Sequence, residues 1–393
     1  MDPRLERAVI VEARRTPIGR ASKGALVGVR PDDMGGFIAR SVLDMIGDGA
    51  DSLVDELISG CGFPWGEQGY NVGRTIALLG GLPVETPGYT ITRLCASSMQ
   101  AVRSAQHAIA LGEGTGYLVV GVESCSRVGR DRHLGERNPL LDPSSPGPTI
   151  ADIYLSMIET AENVASQYGV TREAMDAFAM QSQTRAIAAQ DSGYFSREIV
   201  PIALPGGGEL SADEGPRRST SAAKLAELAP IIPEKGGRVT AGNSCALNDG
   251  AVAVMVMAES KARALGLPIK ARIVSSGVAG VDPTIMGVGP IEAVRTALKR
   301  AGMSLSDMDV VEINEAFASQ VIAVAREIGL DPADERLNPH GGAIALGHPF
   351  GMSGARLITA AMHAMEESDG EFGLATLCVG GGQGQAMVLE RVD

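Results

Sequence analysis

Aromatic residues are scarce in this chain: Phe, Tyr and Trp make up 4% of its 393 residues, and Trp65 is the single tryptophan. Positive charge is short as well. Lys and Arg number 34 against 47 Asp and Glu, a net charge of −13. That balance argues against a general binder of nucleic acid or of an anionic membrane, though not against a local basic patch. Long apolar runs are missing. The longest, around Ala251–Ala258, is the length of a buried strand, well short of the roughly 18–20 residues that span a bilayer. The opening MDPRLERAVIVEARR lacks a signal-peptide core and is too acidic for a transit peptide. Five cysteines, an odd number spread over this length, make no disulfide framework. The expected setting is the reducing cytoplasm. What is plentiful is glycine, 50 residues, as suits a close-packed α/β protein with many tight turns. At about 100–200 residues per domain the length suggests two or three domains.

Short β-branched runs alternate with helical stretches. Strands are expected at Val9–Val11, Leu57–Ile58, Tyr89–Thr92 and Leu118–Val122, and helices at Phe37–Ile46, Asn71–Leu79 and Ser97–Leu111. The alternation predicts a parallel or mixed sheet covered by helices. It breaks at Arg127–Pro148, a loop rich in Pro, Gly, Ser, Asp and Arg and long enough to be functional or disordered. Helices near Ile153–Tyr168 and Arg172–Ser192 follow, the second with Thr171 as N-cap, then a Gly- and charge-rich segment, Pro205–Arg218. Alternation resumes with strands at Val252–Met257, Ile273–Ser275, Val310–Ile313, Leu374–Cys378 and Met387–Leu389. Helices are expected from Pro290 to Arg300, at Phe317–Ile328 and at Ser353–Met365. ITRLCASSMQAVRSAQHAIA leading to YLVVGVES looks like a copy of GHPFGMSGARLITAAMHAM leading to FGLATLCVGGG. Each has a small-residue turn, an Ala-rich helix and a buried strand. The chain thus reads as a weak internal repeat around an inserted middle section.

Chemistry can sit in four places. Cys95, in RLCASSMQ, follows a strand and opens a helix, where the helix dipole favours thiolate and backbone N–H groups can hold an oxyanion. It can equally be a small buried hydrophobe. Cys378, in LATLCVGGGQGQ, ends a strand at a glycine-rich turn that allows close approach of a ligand, or it is a core thiol. GGGQG is no dinucleotide fingerprint, because a strand follows it. His348, in GGAIALGHPFG, lies on a turn, as a base for Cys95 would; a structural turn His is the other reading. His340 is too isolated from metal-ligand spacings to suggest a metal site. Asn314 and Glu315, in EINEAFAS, sit between strand and helix, where Asn is either an N-cap or a holder of water or substrate oxygen. Cys61 and Cys125 read as structural, and His107, His133 and His363 show no evident role.

Six segments taken in order, RLCASSMQA, TAENVA, AGNSCALNDGA, NEAFA, GGAIALGHPFGMSGARL and CVGGGQG, resemble the thiolase family over essentially the whole chain. The resemblance implies two duplicated βαβ-type halves in an α-β-α-β-α stack with an inserted loop domain. That divides the chain into an N-terminal half (1–122 and 249–269), a coenzyme A-binding insertion (123–248) and a C-terminal half (270–393). It implies thiolytic cleavage of a 3-ketoacyl-CoA by coenzyme A, or the reverse Claisen condensation. Cys95 would carry the acyl group, His348 would be its base, and Cys378 would move the proton at the α-carbon. One oxyanion hole would use His348 and a water held by Asn314, the other the N–H groups of Cys95 and Gly380. Coenzyme A is then a substrate, with no resident cofactor or metal. Arg217, in a cluster with Arg218, Lys224 and Arg238, would lie beside the adenine, and Leu228, Ala241, Cys245, Met157, Ala316 and Phe317 would line the pantetheine channel.

Four positions depart from the family pattern: Cys245 in place of a frequent Ser, Ser156 in place of the His of acetoacetyl-specific members, His340 in place of Asn, and Ser98 in place of Gly. The missing His at Ser156 and the degradative look of FGLATLCVGGGQG favour a 3-ketoacyl-CoA thiolase of fatty-acid β-oxidation over an acetyl-CoA acetyltransferase. A ketoacyl-synthase relative would use two His beside one Cys. A non-catalytic thiolase-like lipid-binding protein would have lost a catalytic residue, and none is lost here. The resemblance also implies a cytoplasmic homodimer or homotetramer, a dimer of dimers, with acyl-CoA and coenzyme A as its small-molecule partners.

Overall fold

The computed structural model describes residues 5–128, 137–233 and 236–392. Part of the expected Arg127–Pro148 loop, including His133, lies outside the described residues. The strands are β1 (Ala8–Arg15), β2 (Gly19–Arg20), β3 (Glu56–Cys61), β4 (Gly88–Ile91), β5 (Gly116–Ser124), β6 (Ile202–Ala203), β7 (Glu209–Leu210), β8 (Asn248–Ala258), β9 (Ala271–Gly280), β10 (Val310–Ile313), β11 (Phe372–Val379) and β12 (Gln383–Glu390). The helices are α1 (Pro31–Ile46), α2 (Val72–Leu79), α3 (Ser97–Leu111), α4 (Met157–Gln167), α5 (Arg172–Asp191), α6 (Ala222–Ala226), α7 (Glu259–Ala264), α8 (Gly289–Ala301), α9 (Ala318–Ile328), α10 (Ala343–Leu346) and α11 (Phe350–Ser368).

One ladder runs β10-β11-β12-β9-β1-β8-β5-β3-β4, with β2 paired to β8. Its middle joint is thin, because β1 meets β9 only at Val9 with Arg272 and Ile10 with Ala271. On either side of that joint the plan is the same. The first strand (β1 or β9) lies antiparallel to the fifth (β8 or β12), and the fifth antiparallel to the fourth (β5 or β11). The fourth runs parallel to the second (β3 or β10). Outermost is β4 in one half and, in the other, the single parallel bridge of Leu337 to Val311.

The central strands bury both faces, as strands between two helical layers must. In β1, Val9 and Val11 face a core with α1 and α2, while Ala8, Ile10 and Ala13 face a core with α3 and α11. In β12, Ala386 and Val388 join α8 and α9 on the other outer side, and Met387 and Leu389 turn to α3 and α11. Three cores hold five layers, helix–sheet–helix–sheet–helix, the middle core lying on both faces of the central helices. The insertion leaves β5 at Ser124 and returns at Asn248, and its α4 and α5 pack on the C-terminal outer core.

Local signals explain most boundaries. Thr171 caps α5 by accepting the Ala174 N–H at 3.2 Å. Ser156 caps α4 by accepting the Glu159 N–H at 3.2 Å, so that helix starts at Met157 rather than at Ile153. Helix α11 begins three residues before the expected Ser353, directly after Pro349. The short helices α6, α7 and α10 carry too little periodicity to be seen in the sequence.

Candidate active site

The central layer brings two turns together. The first, Leu94–Ala96, precedes α3 and carries Cys95; the second, around His348, precedes α11. They occupy matching places in the two halves. Glycine lets the helices approach: a Cβ on Gly354 of α11 would lie 2.6 Å from the Met99 nitrogen of α3. Ser98 then ties the two helices, accepting the Ala355 N–H at 2.9 Å and donating to the Met352 carbonyl at 3.2 Å. This is one of the four departures from the family pattern, and its hydroxyl is fully used. Beneath, the buried Glu123 accepts N–H groups from Gly62 (2.8 Å) and Gly351 (2.9 Å), pinning the loop after β3 to the first turn of α11.

The Cys95 turn is strained. Leu94 sits at φ +46°, a left-handed conformation that costs a side-chain-bearing residue about 1–3 kcal/mol. Ser97 stabilises it, donating to the Leu94 carbonyl at 2.6 Å and accepting the Arg93 N–H at 2.9 Å. The Cys95 sulfur accepts the N–H of Gly380 from the other half. Burial nevertheless pushes the Cys95 thiol up to about 12, helped by the charge of Glu123 and opposed by the backbone donors. This corrects the expectation of a dipole-favoured thiolate. Loss of water around the thiolate outweighs the backbone N–H groups, so Cys95 is a thiol at rest.

His348 is buried. Its Nδ1 lies 2.6 Å from Ser353 Oγ, and that hydroxyl donates to the Pro349 carbonyl at 2.7 Å. Ser353 therefore accepts from Nδ1–H, which leaves the lone pair on Nε2. Asn314 Nδ2 donates toward that Nε2 at 3.3 Å. Asn248 Oδ1 accepts the His348 N–H at 3.0 Å. Burial, with Arg356 adding, holds the imidazole down to about 3, so it is neutral. Asn314 Oδ1 is buried with no hydrogen-bond partner among the described residues, as befits a group meant for a water or a ligand.

Cys378 is the last residue but one of β11 and is 1% exposed. Burial pushes its thiol well up, and next in weight come the charges of Cys95 and Cys245, so the three sulfurs are neighbours. The turn after it needs glycine: Gly381 and Gly382 have φ of +76° and +84°. Beside Gly380 sit Leu94 and Met157.

A cavity of about 170 Å³ is lined by Arg217, Leu228 and Ala241 together with Lys224, Gln183 and Ser244. Cys245 donates its N–H to the Ala316 carbonyl at 3.0 Å, and Ser244 bridges Phe317. The strip Cys245–Ala316–Phe317 thus connects that cavity with the neighbourhood of Cys378. The basic cluster of the insertion divides. Arg217 and Lys224 face the cavity, whereas Arg218 pairs with Asp191 and Arg238 donates to the Val170 carbonyl at 3.4 Å. Glu315 is a structural clamp, accepting from Ser182 (2.6 Å), Asn338 (2.8 Å) and the Ile344 N–H (3.0 Å). His340 stacks on Tyr194 at 3.5 Å and meets Glu367 at 2.6 Å. Sequence reasoning missed Ser353, Asn248 and Glu123. Only Ser353 left a trace there, one helical turn after a His.

Two family models match the chain: "Thiolase, N-terminal domain" over residues 8–260 and "Thiolase, C-terminal domain" over residues 267–391. A beta-ketoadipyl-CoA thiolase of Acinetobacter baylyi is 43% identical, with 99% of this chain and all of the relative aligned. A 3-ketoacyl-CoA thiolase of Bacillus subtilis is 44% identical over 98% of this chain and all of that one. The crystal structure of a Bacillus anthracis acetyl-CoA acetyltransferase superposes with a TM-score of 0.89 at 40% identity, covering 99% of both chains.

Proposed function

This chain belongs to the thiolase family, and we propose that it is a 3-ketoacyl-CoA thiolase working in the breakdown direction through an acyl-Cys95 intermediate. The observation that carries this reading is the convergence of Cys95, the Gly380 N–H and Cys378 at one point, where the two halves meet. Because Cys95 rests as a thiol, it needs a base at the moment of attack. His348 is neutral with its lone pair on Nε2 and takes that proton. The Cys95 sulfur bonds to the keto carbon. The N–H groups of Cys95 and Gly380 support one oxyanion, and His348 with a water on Asn314 supports the other. As the Cα–Cβ bond breaks, Cys378 gives its proton to the departing acetyl-CoA carbon. The Cys378 thiolate then takes the proton of incoming coenzyme A, whose sulfur displaces Cys95 from the acyl group, and the released Cys95 thiolate recovers its proton from His348. The nucleotide end of coenzyme A lies in the cavity with Arg217, Leu228 and Ala241, and pantetheine runs past Cys245, Ala316, Phe317 and Met157. No resident cofactor is called for.

The breakdown direction is supported by Ser156, which caps α4 where acetoacetyl-forming members carry His. An acetyl-CoA acetyltransferase remains the second reading, on the structural likeness to such an enzyme. We place the enzyme in the cytoplasm. Among the described residues no helix is long and apolar enough to cross a membrane. A homodimer or a dimer of dimers is our reading of the assembly. Its support is the half-covered edge strand β4 and, nearby in the chain, the exposed Tyr70, Leu78, Leu79 and Val84.

Thiolysis of acetoacetyl-CoA, a medium-chain 3-ketoacyl-CoA and 3-ketoadipyl-CoA, followed by loss of absorbance on adding coenzyme A, tests the function. Faster turnover of the longer substrates supports the breakdown reading. A strong preference for acetoacetyl-CoA selects the second reading, and no cleavage of any of them refutes both.

A further inference from the structure

Helix α3, which follows the Cys95 turn, carries a second concentration of charge two turns further on. A groove of about 490 Å³ lies between α3, β9 and the end of α8, with Arg103, His107 and Arg300 along it. Ser276 holds both guanidiniums. Its Oγ accepts from Arg103 Nε at 3.0 Å, and its carbonyl accepts from Arg300 Nη1 at 2.6 Å. Arg93 stands close enough for its charge to act on Arg103. Arg93 donates to Gln383 Oε1 at 2.9 Å, and its Nε is buried with no partner among the described residues.

None of these three arginines has a carboxylate partner among the described residues. Elsewhere the molecule matches such charges closely. Arg15 lies between Glu198 and Asp213, and Arg272 between Glu259 and Glu390. With 47 acidic residues against 34 basic ones, an unmatched trio cannot be put down to a shortage of acids. Two guanidiniums fixed on one serine repel each other unless an anion lies between them. The Nη groups of Arg103 and the Ser276 hydroxyl proton point to no acceptor of the described residues, which leaves a bidentate fork and an O–H for such an anion.

We propose that this groove is a binding site for a small phosphate-bearing anion, held by Arg103, Arg300 and the Ser276 hydroxyl with His107 at its rim. The site is separate from the coenzyme cavity, which uses Arg217 and Lys224. Its ligand is inorganic phosphate or a nucleoside monophosphate, two sources of one chemistry.

The test is a titration of the full-length protein with inorganic phosphate, with AMP, and with chloride at matched ionic strength, following the His107 imidazole by NMR and the melting temperature. Saturable movement of the His107 resonance and a saturable rise in melting temperature are expected with phosphate or AMP and not with chloride. AMP saturating at lower concentration identifies a nucleotide site; equal or weaker AMP binding identifies a phosphate site. Arg103→Ala and Arg300→Ala should lose the response while keeping turnover, and Arg217→Ala should keep it. The proposal is overturned if Arg103→Ala responds as the parent does, or if phosphate only screens without saturating. It is also overturned if neither ligand acts and both variants sediment as smaller species, which would assign the groove to a second copy of the chain.

Discussion

At the turn before α3 the N-terminal half presents Cys95; at the matching turn before α11 the C-terminal half presents His348. Both sites are desolvated, and desolvation acts on them in opposite directions. It lifts the thiol to about 12 and lowers the imidazole to about 3, because each group is driven to its neutral form and the neutral forms lie on opposite sides of their pKa values. The result is a neutral acid on one turn and a neutral base on the other. The halves differ again in the link between their fourth and fifth strands. In the N-terminal half it is the insertion between Ser124 and Asn248, which supplies most of the wall of the 170 Å³ cavity. In the C-terminal half it is the three glycines Gly380–Gly382, which bring a backbone N–H to Cys95. One topology thus presents Cys95 and His348 on equivalent turns, and a cavity wall and the Gly380 N–H on equivalent links.

The sharpest way to break this division is at the N-terminal turn. Cys95→Ala should lower turnover by roughly 10⁴–10⁶-fold, as loss of a nucleophile does, and no acyl adduct should be found by mass spectrometry after acyl-CoA treatment. An adduct on Cys378 alone would reverse the roles. At the matching turn, His348→Ala should slow both acyl transfer and carbon–carbon cleavage by about 10²–10⁴-fold, since the resting thiol cannot ionise unaided.

Cys378→Ser tests the links. Cleavage and condensation should fall by about 10²–10⁴-fold, while acylation of Cys95 from a simple acyl-CoA persists because no carbon–carbon bond changes. Equal damage to both half-reactions would make Cys378 structural. A smaller loss is expected from Ser353→Ala, which frees Nδ1 and so the choice of tautomer. kcat should fall with little change in KM, and Ser353→Thr should restore it, whereas a merely structural role would show only in stability.

The smallest effect concerns Glu123. Burial raises its carboxyl to about 7, above the usual range. Its contribution to stability is therefore complete below the unfolded value and is lost as pH rises through about 7. Melting curves between pH 5 and 8 should fall more steeply for the parent than for Glu123→Gln. Parallel curves would mean that the Gly62 and Gly351 donors hold the charged form.

Much of the frame was legible without coordinates. Helix α3 and strand β10 have the expected limits, since Ser97–Leu111 and Val310–Ile313 are bounded by turn residues on both sides. The repeat of turn, helix and strand pointed to the two halves. Boundaries were missed where a single side chain decided them: Ser156 by capping α4, and Pro349 by starting α11 early. At the site, Cys95, His348, Cys378 and Asn314 stood out by their turns. Ser353, Asn248 and Glu123 did not, because a serine, an asparagine and a glutamate gain their roles only from what lies across the core.

The amino-acid sequence by itself determined the period of each element, the places where glycine must turn the chain, and which residues carry sulfur or imidazole, because these depend on near neighbours. Tertiary structure alone decided the charge state of Cys95. Helix position argues for thiolate, but burial pushes the thiol up to about 12. It also decided the tautomer of His348, set by Ser353, and the split of the insertion's arginines between a cavity wall and a surface pair with Asp191. Desolvation and hydrogen bonding are sums over everything packed around a group, and residues hundreds of positions apart contribute to them.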